Sequence, residues 1–143
     1  MTFDEKSCGI ILFHVDDDME RQYLLLQYPQ GHYSFIKGHV ETIDESEHHT
    51  AIRETEEETG ITDLTFIEDF KEQVAYRYRR QGKMSHKQVI YFLAVTKERD
   101  VVISHEHQKF IWLPYEKALE KLTFDNDKRL IEKGESIVRQ ETL

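Results

Sequence analysis

Eight of the eighteen residues from Glu41 to Glu58 are acidic, and only Arg53 is basic. Placed on a helix of about 3.6 residues per turn with Glu54 at zero, Glu57 falls about 60° behind it and Glu58 about 40° ahead. Three carboxylates then share one face, while Ile52, Thr55 and Thr59 lie on another side that can pack against a sheet. Like charges one turn apart destabilise a helix by only about 0.2–0.5 kcal/mol per pair, so a plain solvated surface is energetically permitted. The chemical alternative is a site for a hard divalent cation, which takes carboxylate oxygens together with phosphate oxygens and water.

The surrounding spacing favours the second reading. Glu45, seven intervening residues and then Arg53-Glu54-Thr55-Glu56-Glu57-Glu58-Thr59-Gly60-Ile61 resembles the Nudix box, which ends R-E-U-x-E-E-x-G-U with U a bulky aliphatic residue. Two departures stand out. Six residues rather than five separate Gly38 from Glu45, the extra one falling in ETID before the helix, and Thr55 occupies a position where an aliphatic residue is commoner. The resemblance implies that Glu54, Glu57 and Glu58 ligate Mg2+, with Mn2+ as a substitute, and that Arg53 orients them by ion pairing. A simple helix salt bridge from Arg53 to Glu57 is compatible with that role.

Further segments, SCGIILF, LLLQYPQGHYSFIKGHVE, FKEQVAY, KQVIYFLAV and SHEHQKFIWL, are similar to the asymmetric bis(5′-nucleosyl)-tetraphosphatases within that family. This resemblance implies cleavage of diadenosine tetraphosphate to ATP and AMP by a metal-activated water. By position it implies that Lys37, His39 and Lys87 contact phosphates and that Glu106 completes the metal site or accepts the water's proton, leaving the general base open between Glu54 and Glu106. Tyr76 is the implied adenine-stacking ring, and Phe124 offers a second surface. Packing in a hairpin or core is the other use for both rings. Tyr33-Ser34-Phe35-Ile36-Lys37 stands where the family often has a tryptophan and prolines. Two rival readings remain: pyrophosphohydrolysis of nucleoside triphosphates, oxidised nucleotides or RNA 5′ ends, and a non-catalytic nucleotide sensor.

The elements that must position these groups are legible as a pattern. Cys8–His14 and Tyr23–Gln27 read as a hairpin, HYSFI as a short third strand, and helical character begins near Asp44 or Glu45 and stops at Gly60. Strands follow over LTFIEDFKEQVAY and KQVIYFLAV around a QGK turn, with Val89–Val95 apolar on both faces and therefore central. On a strand, Tyr76 and Tyr78 share one face and Arg77 and Arg79 the other. Phe110–Leu113 reads as the last strand, Pro114 as the first turn of a helix, and Tyr115–Leu122 and Asn126–Arg139 as helices. The expected fold is α/β, an α/β/α sandwich around a mixed sheet, in one domain spanning 1–143.

Composition bounds the rest. The 143 residues carry a net charge of −9, which argues against blanket electrostatic binding to nucleic acid. An RNA 5′ end is not thereby excluded, since the YRYRR segment alternates rings and charges. No apolar run approaches the roughly 20 residues of a membrane span, and MTFDEKSC lacks a secretory layout, so a cytoplasmic protein is expected. A small nucleotide ligand is what the family resemblance implies. Cys8 and Trp112 are assigned to the core, and His48 and His49 to solvent.

Overall fold

The computed structural model describes residues 3–104 and 109–141. Strand β1 (Glu5–Val15) is its axis. β1 runs parallel to β6 (Lys83–Val95), in register from Glu5 opposite Lys87 to Phe13 opposite Val95. Its other edge is shared, with β4 (Ile36–His39) along Ser7–Ile10 and β2 (Arg21–Gln27) along Phe13–Val15, both antiparallel. Beyond β2 lie β3 (Tyr33–Ser34) and β7 (Lys109–Pro114), and beyond β6 lies β5 (Thr65–Arg80).

Alternation along β1 sorts the core into two layers. Cys8, Ile10 and Leu12 pack with Leu24, Leu26, Ile90, Phe92 and with Ala51 of helix α1 (Glu47–Thr59). Ile11 and Phe13 pack on the opposite face with Tyr23, Leu25, Tyr91 and Leu93. That face is covered by α2 (Tyr115–Lys121) and α3 (Asp125–Glu141) through Ala118, Leu130, Ile131 and Val138. The sandwich expected from the sequence is therefore present, with β6 central and covered on both faces. Each fully buried Ile or Leu contributes about 1.5–3 kcal/mol of transfer free energy to it. No helix among the described residues is long and apolar enough to cross a membrane.

Several boundaries differ from the sequence reading for local reasons. Helix α1 begins at Glu47, because Ser46 takes the N-cap position and its Oγ accepts from the His49 N–H at 3.0 Å. Pro114 is likewise the cap of α2 rather than its first turn. Ile52, expected on the packing side, is 40% exposed; the buried stripe is Thr50, Ala51, Thr55, Glu58 and Thr59. Thr55 and Thr59 fit that stripe by turning their hydroxyls back to the carbonyls of Ala51 and Thr55, at 2.8 and 2.6 Å. The β5–β6 hairpin is longer than read, closing at Gln81 and Gly82 with φ of 53° and 80° as a two-residue turn of the type that matches strand twist. His49 is half-buried, its Nδ1 accepting from the Glu45 N–H at 3.0 Å, whereas His48 is exposed yet stacks on Phe92.

Helix α3 is pinned to the sheet by one carboxylate. Glu135 accepts a two-pronged bond from Arg21, both contacts at 2.9 Å, and the Tyr23 hydroxyl donates to it at 2.6 Å. Removing the acceptor leaves a half-buried guanidinium and a fully buried phenol without it. Glu135→Ala should lower stability by about 3 kcal/mol in urea unfolding.

Candidate functional site

Arg53 organises one end of the site. Its Nε and Nη2 reach the two oxygens of Asp44 at 2.9 and 3.0 Å, and Nη2 also donates to the His39 carbonyl at 2.9 Å. Nη1 reaches Glu54 at 2.9 Å and Glu57 at 2.8 Å. The salt bridge along the helix and the orienting contact therefore coexist in one side chain. Asp44, fully buried in its side chain, is a residue that sequence reasoning missed. It also accepts from the Thr50 hydroxyl and the Glu41 N–H, at 2.8 and 2.9 Å, so the lengthened loop is tied back onto the helix. Asp44 ionises far more readily than a free carboxyl, chiefly because Arg53 donates to it.

Gly38 faces Glu54 directly. A Cβ on Gly38 would stand 1.9 Å from the Glu54 carboxyl carbon. Its backbone φ is unremarkable, so glycine is needed here for space. Glu57 is half-exposed and Glu58 is 4% exposed, and both line the same cavity as Glu54. Three carboxylates on successive turns form a donor set of hard oxygens that suits a divalent cation. Among the described residues no three His, Cys, Asp or Glu side chains form a ready-made metal cluster. In this arrangement Arg53 engages two of the three glutamates.

The cavity measures about 1320 Å³ and runs from these glutamates past Lys37, His39, Tyr76, Lys87 and Phe124. The structure thus gathers every sequence-nominated site residue that it describes. Glu106, with His105 and His107, lies outside the described residues; Ser104, the last described before them, donates its N–H to the Glu58 carbonyl at 3.1 Å. Lys37 sits over the Tyr28 ring, 4.4 Å from its centre. Burial, then the charge of Lys87, pushes its ammonium down to about 8, against the opposing pull of Asp127 and Glu58. Lys87 is 9% exposed and is lowered as well, by burial first.

A family model for the NUDIX domain matches residues 8–133. The chain belongs to the Nudix family. It is 39% identical over 140 residues to a bis(5′-nucleosyl)-tetraphosphatase [asymmetrical] of Mus musculus, covering 90% of this chain and 92% of that one. A protein of the same name from Caenorhabditis elegans is 43% identical over 103 residues, 68% of this chain and 71% of that one. Among solved structures, a C. elegans Ap4A hydrolase binary complex superposes with a TM-score of 0.83 at 34% identity, covering 95% of this chain and 98% of that one.

The Nudix helix accounts for one end of the cavity, and the other end was less legible. Tyr28 and His32 flank the turn through Pro29 and Gly31 and stack with ring centres 4.8 Å apart and planes 3° from parallel. Phe124 extends the row, 5.2 Å from His32. Two aromatic residues four apart across a Pro–Gly turn were the available signal. Asp127, buried at 6% exposure, accepts from the Ser34 hydroxyl at 2.7 Å, and burial raises its carboxyl. Nothing in the sequence separates it from an ordinary acidic residue in a helix's first turn.

Two measurements probe this Nudix site. Because the atoms that meet a Gly38 side chain are the flexible end of Glu54, Gly38→Ala should leave stability within about 1 kcal/mol while cutting hydrolytic kcat by roughly 10²-fold. Lys37 carries the opposite signature. Its folded value near 8 lies below its ordinary 10.5, so the folded state binds fewer protons between them and stability rises with pH across that window. Lys37→Met should therefore stabilise the protein by roughly 1–3 kcal/mol near pH 7 in urea unfolding, with the gain fading as pH climbs from 8 towards 10.5.

Proposed function

We propose that this Nudix hydrolase cleaves dinucleoside tetraphosphates asymmetrically, taking diadenosine tetraphosphate and water to ATP and AMP. The observation that carries the reading is the layout of the cavity. The glutamate face adjoins two lysines, Lys37 and Lys87, and rings stand in two places, Tyr28, His32 and Phe124 in one and Tyr76 with Tyr78 in the other. Its volume exceeds the roughly 300–1,000 Å³ typical of pockets for a single small ligand. The names of the relatives agree with a substrate that has two nucleosides.

In this reading Lys37, Lys87 and His39 hold phosphate oxygens, while Tyr76 and Phe124 stack on adenine. Lys37, desolvated before the ligand arrives, recovers a favourable partner when a phosphate replaces lost water. Glu54, Glu57 and Glu58 would hold Mg2+, or Mn2+ in its place, which when bound neutralises phosphate charge and lowers the pKa of a water. Arg53 keeps those carboxylates in a fixed relation to Gly38 and His39. A carboxylate, Glu54 or Glu106, takes the proton of the attacking water as the phosphoanhydride bond breaks.

Incubation with Mg2+ and a panel of nucleotides, with products separated by chromatography, tests the substrate. Equal amounts of ATP and AMP from diadenosine tetraphosphate are expected; exclusive release of pyrophosphate from triphosphates would reject the reading. Glu57→Gln should retain its fold and lose kcat by roughly 10²-fold or more. A domain that only senses nucleotides would instead show unchanged affinity and no turnover in either form.

A further inference from the structure

Glu5, at the start of β1, lies behind the cavity wall and is 8% exposed. Four side chains converge on its carboxylate. The Tyr78 hydroxyl lies 2.8 and 2.6 Å from its two oxygens, His39 Nε2 at 3.1 Å and Arg80 Nη1 at 3.0 Å, and the Ser85 hydroxyl completes the set. Burial on its own would lift the Glu5 carboxyl. Hydrogen bonds from Ser85, Tyr78 and His39, with the charge of Arg80, outweigh burial and hold it at about 2.

An ionised carboxylate has about four acceptor sites and no donor, so each of these bonds runs in one direction. Tyr78 has a single hydroxyl proton, and that proton points at Glu5. Burial, then the bond to Glu5, raises the phenol to about 12, so the proton stays in place at neutral pH. Tyr78 also lines the cavity, beside Tyr76 at a ring separation of 6.0 Å. Only lone pairs remain for whatever meets its oxygen.

We infer that Glu5 makes Tyr78 an obligate hydrogen-bond acceptor in the cavity, selecting a nucleoside that presents an N–H or O–H donor at this end. The donor is an exocyclic amine or a ribose hydroxyl. A phosphate oxygen, itself an acceptor, is disfavoured at this spot and is left to Lys37 and Lys87. Glu5 is a positioning residue, acting through Tyr78, and the inference rests on the dinucleotide reading above.

The test measures kcat and KM of the full chain with Mg2+ on diadenosine tetraphosphate, on its diinosine counterpart, in which a carbonyl replaces the amine, and on bis-2′-deoxy and bis-3′-deoxy analogues. Wild type should favour the parent over at least one analogue by about tenfold in kcat/KM, and the analogue that suffers identifies the donor as amine or hydroxyl. Tyr78→Phe should shrink that preference below about twofold, mainly through a higher KM for the parent. Glu5→Gln, whose amide can donate and so lets the phenol turn round, should do the same; if it fails to fold, Tyr78→Phe decides alone. A wild-type preference kept intact by Tyr78→Phe, or no preference in wild type, overturns the inference. Failure of wild type to cleave the parent at all appears before any variant is compared, and removes the dinucleotide reading and this inference together.

Discussion

The guanidinium of Arg53 is the point on which the site depends. It spans three elements at once: Asp44 in the loop, the His39 carbonyl at the end of β4, and Glu54 and Glu57 on α1. Charge-assisted bonds of this kind are roughly twice as strong as neutral ones, and a planar fork also fixes direction. Three acidic side chains on one face of a helix repel one another, and a cation among them relieves the strain before any metal arrives. The same contacts set the glutamates against Gly38, where the absence of a side chain leaves room for a carboxylate.

The frame that holds this arrangement is the parallel pairing of β1 with β6. It places Glu5 opposite Lys87, and β4 on the other edge of β1 places Gly38 opposite Cys8. Groups far apart in the chain thereby reach one cavity. Burial perturbs the charged groups of that cavity: Lys37 and Lys87 are desolvated cations pushed down by it, and Asp127 is a desolvated acid pushed up by it. Perturbed groups converging in a cleft mark a candidate binding site; a polyanionic ligand would give Lys37 and Lys87 the partner that burial removed, whereas it would push the Asp127 carboxyl further up.

Much of this was legible beforehand. The spacing of Glu54, Glu57 and Glu58 follows from helix periodicity alone, and Gly60 ends the helix in the left-handed conformation expected of it, with φ of 78°. The doubly apolar run from Val89 to Val95 read as a covered strand, and it forms the buried half of β6. Ile52 was misplaced because propensity and hydrophobicity cannot say which of two adjacent helix faces meets the sheet; Thr55 and Thr59 took that face by bonding their hydroxyls back to the helix. Asp44 was hidden in a loop whose acidic residues all look alike, and only its return to Arg53 singles it out.

The sequence by itself determined which residues carry charge, which alternate into the two core layers, and the turn-by-turn spacing of the glutamates, since these depend on neighbours within a few positions. Tertiary structure alone decided that Asp44 meets Arg53, that Phe124 joins the Tyr28–His32 stack, and that Glu5 receives donors from Tyr78, His39, Arg80 and Ser85. Each of those contacts joins segments separated by loops or strands, and its energy depends on burial and direction. Neither quantity exists until the sheet is assembled.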